Sequence, residues 1–196
     1  MAPVKNDIVL AGVGGQGILT IAAIVGQAAM DCGLNVKQSE VHGMAQRGGA
    51  VVAHLRLSDG TIFADLIPTG GADVILAIEP MEALRQLNLL KADGMLLANA
   101  DPVVNIGNYP DMNAVLERIR RHPRNVVVEA GRLAGEAGSN RAMNMVMLGA
   151  LSPFLAIPEA GLQDTIRAAF RSKGEKVVDI NLRAFASGRE ASAGAA

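Results

Sequence analysis

Residues 7–17 read Asp7-Ile8-Val9-Leu10-Ala11-Gly12-Val13-Gly14-Gly15-Gln16-Gly17, and this stretch decides the fold class. A continuous apolar run over 7–13 is the pattern of a strand buried on both faces of a sheet. It ends in glycines, and from residue 18 to about 31 apolar and small residues recur at helical spacing until Gly33 supplies a stop. The unit is therefore strand, glycine turn, helix. Gly12, Gly14 and Gly17 match G-x-G-x-x-G in the context that gives it meaning. Two readings are open for the turn. Its glycines either bring a phosphate close to the helix N-terminus, or let the helix pack tightly on the sheet or a partner.

Working outward, residues 35–38 can form a second short strand. Residues 49–57, GAVVAHLRL, with a turn at 58–61 and an extended run at 62–64, predict a β-hairpin inserted into a βα pattern. Alternation resumes with a strand at 72–78, a helix at 81–90 and a strand at 94–98. A turn-rich loop over 99–110 precedes a helix at 112–121 and a strand at 125–129. Helices are expected near 141–151, 158–171 and 177–185. The pattern predicts an α/β fold, a three-layer Rossmann-like domain with a mixed, mostly parallel central sheet and one inserted β-hairpin. One domain over 1–187 suits the length, with 188–196, small and polar, as a flexible tail.

Composition excludes several functions. A formal net charge of −1 and a pI near 6.3 argue against sequence-independent nucleic-acid binding, which needs a basic face, and the short basic run at 118–122 reads as a solvated helix face. No run of about 18 apolar residues can span a bilayer, and the N-terminus lacks the apolar core of a signal peptide, so a cytoplasmic protein is expected. The single cysteine, Cys32, can hold neither an iron–sulfur cluster nor an intramolecular disulfide. NAD binding wants an acid at the end of the second strand, about 20 residues past the turn. Residues 36–38 are Val-Lys-Gln, and the first acid is Glu40, inside the next loop.

That loop, residues 39–49, reads SEVHGMAQRGG and crowds an acid, an imidazole, an amide, a guanidinium and three glycines into eleven residues. Together with the glycine turn it resembles the γ-type module of the 2-oxoacid:ferredoxin oxidoreductases, the pyruvate/ketoisovalerate oxidoreductase family. The spelling His42-Gly43-Met44-Ala45-Gln46-Arg47 is similar to that of the family's small β subunits acting on indolepyruvate. Further matches are ADVILAIEP at 72–80 and NRAMNMVMLGA at 140–150, so the resemblance runs over about residues 5–187.

The resemblance implies CoA-dependent oxidative decarboxylation of an aryl 2-oxoacid to acyl-CoA and carbon dioxide, with electrons passing to ferredoxin. It places thiamine diphosphate, Mg²⁺ and the iron–sulfur clusters on a larger α subunit. This chain would then be inactive alone, binding no metal or cofactor itself, with coenzyme A as co-substrate. On that basis Gly14, Gly15, Gln16, Gly17, Gln46, Arg47 and Gly48 are candidates for binding substrate or CoA, and His42 and Glu40 for supporting catalytic roles. Each has a plainer reading: Arg47 pairing with Glu40 or a partner acid, and His42 as an interface histidine. His54 and the methionines at 143, 145 and 147 read as structural, and Asn140 and Asn144, one turn apart, as a cap and a polar contact. A γ subunit for pyruvate or branched-chain oxoacids and a stand-alone nucleotide-binding regulatory module are the alternatives.

Overall fold

The computed structural model describes residues 4–43, 48–104 and 107–195. Strand β1 (Lys5–Val13) leads through the glycine turn to α1 (Ile18–Asp31), then come β2 (Asn35–His42), β3 (Ala50–Ser58) and β4 (Ala72–Ala77). A short α2 (Pro80–Arg85) precedes β5 (Leu90–Asn99), α3 (Met112–Arg120) and β6 (Asn125–Val128). The chain closes with α4 (Ala130–Ala137), α5 (Met143–Leu151), α6 (Glu159–Phe170) and α7 (Glu175–Ser192). The strands make one sheet in the order β2-β3-β1-β4-β5-β6. β1, β4, β5 and β6 pair in parallel, and β3 runs antiparallel to both β1 and β2. This is the expected mixed α/β fold.

The pleat sorts the core. Ile8 and Leu10 of β1 point into a layer built from α1, α4, α5, α6 and α7, while Val9 and Ala11 face α2 and α3. Almost all of this core is aliphatic, so its helices can approach closely. The closest approach is between α5 and α7: a Cβ on Gly149 would lie 1.9 Å from Phe185 O, and one on Gly188 1.8 Å from Val146 O. Any larger residue at either position forces the helices apart.

Two expectations are corrected here. The inserted hairpin is β2 with β3, paired from Asn35↔Ser58 to His42↔Val51, and residues 62–64 are not a strand. The reason is that both edges of β3 are already taken, by β1 and β2. Residues 61–67 instead cross the sheet face, where Arg56 Nη1 donates to Ala64 O (3.0 Å) and Leu66 O (3.2 Å), and the Ile67 amide donates to His54 Nδ1 (3.0 Å). Burial holds the His54 pKa below its usual value, in keeping with its structural part. The tail expected from 188 onward begins as the last turns of α7. Gly188 sits against Val146, Ser192 is buried, and Arg189 ties the helix to Ser152 Oγ (2.8 Å) and Glu159 (2.9 Å). Small residues that read as a tail are what permit that contact.

Candidate functional site

In a sheet of this type the loops after the parallel strands gather along one edge, where ligands of α/β folds bind. Here that edge collects the glycine turn after β1, residues 48–49 before β3, Ile78 and Glu79 after β4, and Asn99, Asp101 and Tyr109 after β5.

The turn is locked to the loop. Gly14 N donates to Gly49 O at 2.9 Å, and Gly48 N reaches Gly14 O at 3.5 Å. Gln16 is folded inward: its Oε1 accepts from Val13 N (2.9 Å) and its Nε2 donates to Ile78 O (3.2 Å), so its amide joins the ends of β1 and β4. The glycines divide by role. A Cβ on Gly12 would meet Gln16 Oε1 at 2.6 Å, and one on Gly17 (φ 81°) would meet Asn144 Nδ2 at 2.5 Å, so both serve close packing. Gly15 differs, with φ 100° and, among the described residues, nothing within 4 Å of an added Cβ. Its backbone is open on the solvent side. Among the described residues no side chain caps α1 at Gly17 and the first turn carries no acid, which leaves its N-terminus suited to an anion.

Beside the turn is a cavity of about 400 Å³, between α1, α5 and α7, lined by Thr20, Ser139, Arg141, Asn144, Lys173 and Asn181 among others. It is polar and carries two cations, and Lys173 Nζ also lies 5.2 Å from the Phe170 ring centroid. A larger groove of about 850 Å³ between α1 and α6 joins apolar Leu19, Ala23, Ile24 and Ala168 to Asp31 and Asp164, so the charged groups in its wall are acids, which repel an anion. The polar cavity fits a phosphate-bearing ligand better.

Glu40 and His42 lie two apart on edge strand β2, which runs four residues further than expected, so their side chains share a face. His42 Nε2 is 3.0 Å from Glu40 Oε1 with both side chains substantially exposed, and Gln38 Nε2 donates to the other Glu40 oxygen at 3.3 Å. Gln46 and Arg47 lie outside the described residues. Among the described residues no group of three or more His, Cys, Asp or Glu side chains can hold a metal, and Cys32 is exposed and single.

Sequence reasoning missed the centre of this edge. Asn99 is fully buried; its Nδ2 donates to Ile78 O (3.1 Å) and Asp101 O (3.2 Å), and its Oδ1 accepts from Ala130 N (3.2 Å). The Ile78 carbonyl thus receives both Gln16 and Asn99, tying β1, β4, β5 and α4 together. Glu79 is also buried, caps α2 through the Glu82 amide (3.0 Å) and accepts the Tyr109 hydroxyl proton. Burial, then the Glu79 contact, raises the Tyr109 pKa, so the hydroxyl stays a donor. The acid followed by proline at 79–80 was the available signal, since Pro at a first helical position marks the preceding residue as a cap.

Residues 7–191 match the family model described as pyruvate ferredoxin/flavodoxin oxidoreductase. The chain belongs to this family. Within it, the chain is 41% identical over 191 residues to the indolepyruvate oxidoreductase subunit IorB of Archaeoglobus fulgidus, spanning 94% of each chain. It is 31% identical over 197 residues to the 2-oxoglutarate synthase subunit KorC of Methanothermobacter thermautotrophicus, spanning 97% of this chain and 96% of that one. Among solved structures it is similar to the 2-oxoglutarate:ferredoxin oxidoreductase of Magnetococcus marinus, which has 2-oxoglutarate, coenzyme A and succinyl-CoA bound. The TM-score is 0.79 at 25% identity, over 97% of this chain and 31% of that one. The oxidoreductase-family fold thus accounts for nearly the whole chain.

Proposed function

We propose that this chain is the small subunit of an aryl-pyruvate (indolepyruvate) ferredoxin oxidoreductase, and that its C-terminal sheet edge completes an active site carried by a larger subunit. Near full-length likeness to indolepyruvate oxidoreductase subunits supports the assignment. The reaction takes a 2-oxoacid and CoA to acyl-CoA and carbon dioxide, releasing two electrons to ferredoxin and one proton. Thiamine diphosphate with Mg²⁺ and the iron–sulfur clusters are assigned to the larger subunit, as the family resemblance implies; for the clusters the single cysteine, Cys32, supports this, since one thiolate cannot ligate a cluster. The complex works in the cytoplasm, inactive without that partner.

This chain's part is to bind and orient. The uncapped α1 N-terminus at Gly14–Gly17, held by the Gly14–Gly49 hydrogen bond beside a cavity bearing Arg141 and Lys173, is the observation that carries a CoA-binding role. Backbone N–H groups at Gly15 and Gly17 and the guanidinium of Arg47 take the anionic groups of CoA, while Gln16 holds the turn rigid and Gly48 closes it. Gln46 offers an uncharged hydrogen bond to a polar substrate group, and His42 with Glu40 orients a carboxylate or holds a proton at the mouth of the edge. The test is Arg47→Ala in the reconstituted complex. The KM for CoA should rise roughly tenfold or more, the loss of a charge-assisted contact, while the complex stays assembled. Loss of assembly with unchanged CoA saturation in the remainder would favour a purely structural loop.

A further inference from the structure

On the same edge, beneath Gly48, a small cavity is lined by Val13, Ala50, Glu79, Met81, Glu82 and Tyr109, with Arg85 at its side. Two buried carboxylates stand in its wall, and they are not equivalent. Glu79 is fully used: one oxygen takes the Tyr109 hydroxyl and the other the Glu82 amide. Glu82 is not. Its Oε1 accepts from Arg85 Nη1 at 2.6 Å, but Oε2 is buried and meets no hydrogen-bond donor among the described residues. The side chain is 3% exposed, whereas that of Arg85 is 51% exposed and shares its charge with solvent.

The shortfall is specific. A buried carboxylate oxygen without a donor costs free energy that native proteins rarely leave unmet. Arg85 is the one guanidinium in this wall beside two carboxylates, so the cluster has a cation for only one of them among the described residues. A water would supply a donor but not the charge, and ordered water needs two to four polar partners where this wall offers one free oxygen. Val13, Ala50 and Met81 are instead suited to the aliphatic stem of a basic side chain.

We infer that this notch receives one cationic side chain of the larger subunit, an ammonium or guanidinium that meets Glu82 Oε2 when the complex assembles. The inference rests on the reading that this edge faces that subunit. Opposite charges seated in a buried notch fix register at an interface, so the contact sets how the two subunits align.

The experiment measures the dissociation constant of the small and larger subunits for the wild-type chain and for Glu82→Gln, with the thermal midpoint of each isolated small subunit. Glu82→Gln should weaken association tenfold or more while leaving the isolated chain's midpoint unchanged or higher, since the free chain loses an uncompensated buried charge. Association within twofold of wild type overturns the inference and assigns the oxygen to solvent or to its own proton. A fall in the isolated chain's midpoint that accounts for the weakened association also overturns it, because Glu82 is then structural. Should Glu82→Gln not fold, Glu82→Leu, which removes the charge and fills the space, is read by the same criteria. A wild-type chain that does not associate with a thiamine-diphosphate subunit defeats the functional reading itself. A normal wild-type complex with insensitive variants defeats only the notch.

Discussion

The two ends of the central sheet spend their polar groups differently. At the N-terminal end of the parallel strands, buried Asp7 is held by Arg56 Nε (2.7 Å) and Nη2 (3.2 Å) and by Lys5 (2.8 Å), its amide donates to Asp73, and Asp73 pairs with Lys91. Asn6 ties that end to the chain before α6, through Ala156 N (2.8 Å) and Phe154 O (3.2 Å). At the C-terminal end, among the described residues, Glu82 keeps a buried oxygen without a donor, α1 begins without a side-chain cap, and Gly15 has no neighbour within 4 Å of an added Cβ. One end closes on itself. The other retains hydrogen-bonding capacity, and such capacity in a folded protein is where a ligand or partner enters.

The sharpest way to break this contrast is at the closed end. Arg56→Ala leaves Asp7 only the half-exposed Lys5 and frees the carbonyls of Ala64 and Leu66; it should cost about 3 kcal/mol or more in denaturant unfolding, the range for breaking a buried pair. CoA saturation of the complex, measured where the variant is folded, should not change.

A pH titration of stability sharpens the same comparison, because the two buried acids shift in opposite directions. Burial pushes Asp7 up, but the hydrogen bonds from Arg56 and Lys5 outweigh it and its pKa falls below the usual value. Its stabilisation is full above the unfolded carboxyl's pKa of about 3.9 and is lost as pH drops through the folded value. Burial and then Glu79, against Arg85, raise Glu82, so its favourable contribution is present below the unfolded pKa and is lost as pH rises through its folded one. Asp7→Asn should therefore destabilise the isolated chain at pH 7 and lose that penalty in acid. Glu82→Gln should match or exceed wild-type stability at pH 7, the advantage shrinking toward pH 4. Parallel behaviour of the two variants would erase the distinction between the ends.

The smallest effect belongs to Gly15→Ala. With no described neighbour in the way, its cost is that of the left-handed backbone, on the order of 1 kcal/mol, while the added methyl stands where a phosphate would approach. A modest loss of stability with a raised KM for CoA is expected. Equal KM values would make the turn a packing device.

How much of this was legible in the sequence follows from what sets each element. β1, its turn and α1 were readable because burial on two faces writes a continuous apolar run and Gly33 (φ 80°) writes the stop. Residues 39–42 were not read as strand because an exposed edge strand carries no hydrophobic pattern; its pairing with β3 alone holds it. The end of α7 was hidden because small residues look like a tail until a facing helix at Gly149 is known. At the site, Gly14 to Gly17 and the loop could be named from glycine and polar crowding. Asn99, Glu82 and the inward role of Gln16 in joining two strand ends could not, since strands far apart in sequence bring them to one edge and only the sheet order reveals it.

The central claim, that one sheet edge is completed by a larger subunit and the other is complete in itself, is tested most directly by hydrogen exchange of the isolated chain against the assembled complex. The account predicts new protection at residues 12–19, 48–51 and 78–83, with exchange at 5–8, 55–59, 72–74 and 90–93 unchanged. Protection confined to the second set, or none at the first, would contradict it.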